Sequence, residues 1–149
     1  MTRAAAHDRL RKIRDEMEAA RFALAAAIRT WPGEAPEGSS GTALTISDLR
    51  RALRHLQATY LIRLFGCWEG ILRDYWIHGV GRSTEPRLSD LIDSLCARRN
   101  IDPQTRLRAH ELRELRNAIV HEDTLELRID FPECLRSLAT FLAYLLVTW

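Results

Sequence analysis

Apolar side chains recur every three or four residues along about five stretches of the chain, a pattern typical of amphipathic helices. The first stretch runs from about Ala4 to Thr30 and ends before Pro32, because a residue that precedes proline avoids helical backbone angles. One face of this helix carries Leu10, Ile13, Met17, Ala20 and Leu24. The following segment is rich in Gly, Pro and Ser, so we interpret residues 31–46 as a flexible loop between two helices.

A second, long helix is predicted from about Ser47, a good N-cap residue, to Gly79. Between Tyr60 and Trp76 it is apolar on nearly every side, which indicates a central position in a bundle. Gly66 and Gly70 lower helix propensity and would permit the close approach of another helix or of a substrate. The main apolar stripe comprises Leu49, Leu53, Leu56, Tyr60, Leu64, Cys67 and Ile71.

Three shorter helices complete the prediction. One spans about Ser89 to Arg98, and the Asp102-Pro103 pair opens the next, which runs to about Val120. The segment 121–130 alternates enough to allow a short extended piece, and Asp130 to Glu133 then resembles a capping box that opens the last helix. We therefore predict an all-α bundle of about five helices, without an extended sheet, in a single domain over residues 1–149.

The charge pattern changes this picture little. The net charge of +2 gives no bulk signal for nucleic acid, but nearly all of the 22 basic residues are arginines, and Lys12 is the only lysine. Arginine suits bidentate phosphate contacts, so a local binding patch remains open, although a GC-rich genome produces the same bias.

Cysteine usage and hydropathy indicate a cytoplasmic protein that does not enter a membrane. Cys67, Cys96 and Cys134 match no metal-site spacing, and Cys67 and Cys134 lie among apolar residues, as buried free thiols of a reducing compartment do. The N-terminus has no apolar signal-peptide core. The most apolar stretch, residues 60–77, contains four charged side chains, which favours a core helix over a membrane span.

The candidate chemistry lies on the fourth helix. His110, Glu114, Asn117 and His121 follow one another at spacings of four, three and four, and therefore share a polar face. Arg116 lies between that face and the apolar stripe of Leu112, Leu115 and Ile119. Arginine, amide and imidazole suit phosphodiester cleavage in RNA, which carries its own 2′-hydroxyl nucleophile, so neither metal nor cofactor is required. The alternative is structural: the histidine caps the helix end and the arginine pairs with an acid.

Glu69 is a second candidate, because it shares a helix face with the apolar residues Phe65, Leu72 and Trp76. A carboxylate on an apolar surface needs a partner. Arg116 would serve, and so would Arg73, four residues along the same helix.

The sequence Arg-Asn-Ala-Ile-Val-His (116–121) resembles the Arg-x4–6-His signature of the HEPN superfamily (higher eukaryotes and prokaryotes nucleotide-binding domains). Leu-Phe-Gly-Cys-Trp-Glu-Gly-Ile-Leu (64–72) is similar to an earlier core helix of that family, and the helix order agrees over most of the chain. One departure is Leu125, which stands where some toxins of the family have a tyrosine that a partner enzyme modifies.

The resemblance implies a homodimer with a composite site in its cleft and metal-independent endoribonuclease activity, in a toxin–antitoxin or antiphage defence role. Arg116 and His121 would be the catalytic pair, Asn117 a supporting polar residue, and Glu69 a weaker supporting candidate. RNA and an antitoxin protein would be the partners. Two alternatives remain: a non-catalytic nucleotide- or RNA-binding module of the same fold, and a helical interaction protein.

Overall fold

A computed structural model describes residues 1–31, 44–121 and 130–149, and these residues form five α-helices. They are α1 (Arg3–Arg29), α2 (Ile46–His78), α3 (Leu88–Arg99), α4 (Pro103–His121) and α5 (Phe131–Ala143). The described ranges contain no strand beyond one isolated antiparallel bridge, so the all-α prediction is confirmed. The predicted loop lies mostly, and the possible extended piece almost wholly, outside the described residues.

The N-cap of α2 differs from the prediction. Thr45 caps this helix: its side chain accepts a hydrogen bond from the Asp48 backbone N at 3.2 Å, and the Asp48 carboxylate accepts one from the Thr45 backbone N at 3.0 Å. The prediction of Ser47 as the cap is therefore wrong. The capping box at Thr45 satisfies the backbone N–H groups of Thr45 and Asp48, and the helix begins two residues earlier than predicted.

The N-cap residues predicted for α4 and α5, Asp102 and Asp130, are confirmed. Of the capping box predicted at Asp130, the described residues show only the bond from the Glu133 backbone. Asp102 Oδ1 accepts a hydrogen bond from the Thr105 backbone N at 2.9 Å, and Asp130 Oδ1 accepts one from the Glu133 backbone N at 2.7 Å. The Glu133 side chain forms an ion pair with Arg108 of α4. Helices α4 and α5 thus begin at the residues that the sequence indicates.

Helix α2 is central, as predicted, because it contacts each of the other four helices. Trp68, Ile71 and Leu72 in its second half are completely buried, and the Trp68 ring packs edge-on against Phe141 of α5. Leu53, Leu56, Tyr60 and Cys67 of the predicted stripe are only half-buried. No helix in the described ranges is long and apolar enough to cross a lipid bilayer.

Gly66 and Gly70 lie on the outer side of α2. Both are exposed, and a Cβ atom added to either residue would meet nothing within 4 Å. None of the five helices described therefore makes the close approach that these glycines would permit.

Candidate functional site

The last two turns of α4 carry the predicted site residues. Leu112 is buried, and Leu115 and Ile119 pack half-buried against the core, so this side of α4 faces the bundle. Asn117 and His121 therefore lie on the outer side, where both are exposed. They are one helical turn apart and available to a ligand.

Arg116 occupies the boundary between these two sides. Its side chain is half-buried and lines a narrow apolar crevice with Leu61 and Phe65 of α2 and Leu138 of α5. Among the described residues, the buried Nε atom has no hydrogen-bond partner, while Nη1 donates to Asn117 Oδ1 at 3.0 Å. The apolar wall thus holds the stem of Arg116 and the amide of Asn117 orients its guanidinium group.

Arg116 also differs from the other arginines of α4. Arg106 pairs with Asp93, Arg108 pairs with Glu111 and Glu133, and Arg113 pairs with Glu114. Among the described residues, no carboxylate oxygen lies within 4.0 Å of the guanidinium nitrogens of Arg116. Within the described ranges, its positive charge therefore has no carboxylate partner.

Arg116 and His121 lie on different sides of α4. They are five residues apart, which on an ideal α-helix is roughly 7.5 Å along the axis and roughly 140° around it. Asn117 lies between them in direction, next to Arg116 and one turn before His121. A single α4 therefore presents the guanidinium and the imidazole in different directions.

Glu69 does not belong to this site. Its Oε1 atom accepts hydrogen bonds from Arg73 Nε at 3.0 Å and from Arg73 Nη2 at 2.6 Å. Arg73 also donates to the Pro86 carbonyl at 3.2 Å. The hypothesis of a Glu69–Arg116 pair is wrong and the local pair is confirmed, because the two side chains lie at i and i+4 on one helix.

His110 has a separate role from His121. Its Nε2 atom hydrogen-bonds Asp93 Oδ1 of α3 at 2.8 Å, and the same oxygen accepts a hydrogen bond from Arg106 Nε at 2.8 Å. Burial alone would raise the pKa of Asp93, but the hydrogen bonds and charges of His110 and Arg106 outweigh it and lower that pKa. His110 therefore links α3 to α4 and does not extend the polar face toward Asn117.

The three cysteines are free thiols, of which Cys96 and Cys134 are buried and Cys67 is half-buried. Burial raises the pKa of Cys134 to about 12 and that of Cys96 to about 11, so both stay protonated and unreactive at neutral pH. Within the described ranges, no three His, Cys, Asp or Glu side chains are grouped as metal ligands would be.

Sequence reasoning missed two features near the site. One is the apolar wall of Leu61 and Phe65 against Arg116, because the relative rotation of α2 and α4 does not follow from periodicity alone. The other is a set of exposed arginines at the start of α2, namely Arg50, Arg51 and Arg54. The spacings of three and four between these arginines were a signal that could have found them.

Comparison with protein-family models, with curated proteins and with solved structures finds no match.

Proposed function

We propose that this protein is a metal-independent endoribonuclease of HEPN type. The observation that carries the proposal is Arg116, a half-buried arginine that pairs with no carboxylate among the described residues. Asn117 holds its guanidinium group, and His121 is exposed one turn beyond Asn117. A cation, an amide and an imidazole in this order suit a phosphodiester that develops negative charge during cleavage.

In the proposed reaction, the 2′-oxygen of the RNA attacks the adjacent phosphorus while the bond from phosphorus to the 5′-oxygen breaks. The 2′-hydroxyl loses a proton to a base, and the departing 5′-oxygen gains one from an acid. His121 performs one of these proton transfers, because imidazole titrates near neutral pH. Arg116 stabilises the charge on the phosphoryl oxygens. The products are a 2′,3′-cyclic phosphate and a 5′-hydroxyl.

The directions of Arg116 and His121 support a composite site in a homodimer. One chain turns the two groups roughly 140° apart on α4, so they do not meet at one phosphate. A twofold axis near the end of α4 would bring Arg116 of one protomer toward His121 of its partner. The biological role that goes with this proposal, a toxin or antiphage effector with a possible antitoxin partner, is supported by the motif resemblance.

The test of the proposal is cleavage of end-labelled RNA by the purified protein in the presence of EDTA. The proposal expects cyclic-phosphate and 5′-hydroxyl ends, and no cleavage at a position with a single 2′-deoxy substitution, because the nucleophile is then missing. Cleavage at the deoxy position would contradict the mechanism. RNA binding without cleavage would indicate a non-catalytic module, and neither binding nor cleavage would indicate a helical interaction protein.

A further inference from the structure

The first turns of α2 carry a concentrated positive charge. Arg50, Arg51 and Arg54 are exposed, as is His55 beside them. Among the described residues, none of the three arginines lies within 4.0 Å of a carboxylate oxygen. Asp48, three residues before Arg51, is already hydrogen-bonded to Thr45. We call Arg50, Arg51 and Arg54 the α2 arginine patch.

The spacing within the patch places like charges next to one another. Arg54 lies four residues after Arg50 and three after Arg51, so the three guanidinium groups are neighbours on the helix surface. Like charges at these spacings repel one another. An external polyanion would relieve this repulsion, which the attraction between Asp48 and Arg51 offsets only in part.

The patch lies on the same side of α2 as the end of α4. Leu61 of α2 lines the crevice that also holds Arg116 and Ile119 of α4. Arg54 is seven residues before Leu61, almost two full turns, so it has nearly the same direction from the α2 axis and lies roughly 10 Å farther along it. Leu53 and Gln57, on either side of Arg54, line a cavity together with Asp130 and Phe131, so the patch lies at the same end of the bundle as the start of α5.

We propose that the α2 arginine patch binds the phosphate backbone of the RNA strand whose scissile phosphate lies at Arg116 and His121. This inference rests on the proposed function and adds the path of the substrate to it. Several successive phosphates of one strand complement several successive arginines, and guanidinium groups hold phosphate oxygens in bidentate fashion. The contacts read no base, so the patch contributes affinity without sequence preference.

The experiment measures binding of a 2′-O-methyl RNA oligonucleotide, which has no free 2′-hydroxyl and therefore cannot be cleaved by the proposed route. The test variant is Arg50→Gln/Arg51→Gln/Arg54→Gln, which removes the charge and keeps helix propensity. The matched control, Arg82→Gln/Arg87→Gln/Arg136→Gln, removes three exposed arginines elsewhere. Dissociation constants are measured by fluorescence anisotropy over a range of salt concentrations, after circular dichroism has verified the helical content of each variant.

The test variant should bind at least about tenfold more weakly, and the slope of log affinity against log salt should fall by about 2, since each phosphate contact in a single strand contributes roughly 0.7. The control variant should retain both values. An Arg→Lys variant at the same three positions should retain the salt slope, because lysine keeps the charge.

The proposal is overturned if the protein does not bind the oligonucleotide, or if the test and control variants lose the same affinity and slope. Arginine-dependent binding of polyglutamate as tight as that of RNA would overturn it in favour of an acidic protein partner. The experiments distinguish a failure of this inference from a failure of the proposed ribonuclease activity. Unmodified RNA that is bound through the patch but never cleaved contradicts the ribonuclease alone, and cleavage without a role for the patch contradicts this inference alone.

Discussion

At the scale of single residues, Arg116 has a charged group and an aliphatic stem with different roles. The other three arginines of α4 pair with carboxylates, and their charges therefore have partners within the fold. The charge of Arg116 has none among the described residues, so only its aliphatic stem contributes to packing. A change that keeps the stem and removes the charge should therefore affect the chemistry and spare the fold.

Arg116→Met is that change. We expect RNA cleavage to fall by ~10²–10³-fold, the usual loss of a group that stabilises transition-state charge, while the thermal midpoint stays close to that of the wild type. The matched control is Arg113→Met, three positions before Arg116 on α4, whose arginine pairs with Glu114. Cleavage rates and differential scanning fluorimetry measure both effects. Equal losses of activity in the two variants would show that Arg116 has no special role.

Glu69→Gln should leave cleavage unchanged, because Glu69 contacts Arg73 and not the site. The unfolding free energy should fall by roughly 0.2–1 kcal/mol, the range measured for partly exposed ion pairs. Steady-state cleavage assays and urea denaturation test the two statements. A loss of activity comparable with that of Arg116→Met would mean that Glu69 reaches the site after all.

At the scale of helices, the start of α4 predicts a measurable pH dependence. Hydrogen bonds from Thr105, and then from Tyr144, lower the pKa of Asp102 to about 2. A lowered pKa in the folded state adds stability that is complete above the unfolded value, which is about 4, and that disappears as the pH falls through the folded value. The charge of Asp102 thus stabilises the cap of α4 at neutral pH and not in strong acid.

The variant Asp102→Asn tests this, because asparagine keeps the N-cap hydrogen bond and removes the charge. Urea denaturation between pH 6 and pH 2.5 should show the wild type losing more stability on acidification than the variant, with the difference between the two curves shrinking toward the lowest pH. Parallel curves over the whole range would contradict the assignment of this pKa to Asp102.

The helices also show what sequence can and cannot predict. The cap at Asp102 follows from the proline after it, and the cap at Asp130 from Glu133 three positions on, so local chemistry was sufficient. The same rule would have found Thr45, since Asp48 follows it by three residues, whereas Arg50 follows Ser47. The error at this helix start was therefore avoidable.

Local sequence spacing could not predict which side chains pair with one another. Glu69 had two arginines as possible partners, and the rotation of α2 against α4 decided between them. His110 bonds Asp93, 17 residues earlier, and Trp149 donates to Asp74 Oδ2 at 2.8 Å across 75 residues. Periodicity places residues on faces, but such distant pairs require the three-dimensional arrangement of the helices.

At the scale of the whole molecule, the composite site predicts complementation between inactive variants. Arg116→Ala and His121→Ala should each be inactive alone. If Arg116 of one protomer acts with His121 of its partner, a mixture in which the dimers exchange should regain up to about a quarter of wild-type activity, because half of the dimers are mixed and each has one intact pair of two. Light scattering must first show a dimer. A dimeric mixture that stays inactive would place both groups in the same chain.

The central claim is that the end of α4 cleaves RNA through His121 without a metal ion. The most direct test is the rate at which wild-type and His121→Ala proteins cleave one end-labelled RNA in EDTA, with circular dichroism and unfolding midpoints as the control for the fold. The account predicts wild-type cleavage that survives EDTA and a loss of ~10²–10⁴-fold in the variant, as expected for a proton-transfer residue. A folded His121→Ala protein that cleaves as fast as the wild type would contradict the site, and His121 would then be only the basic residue in the last turn of α4.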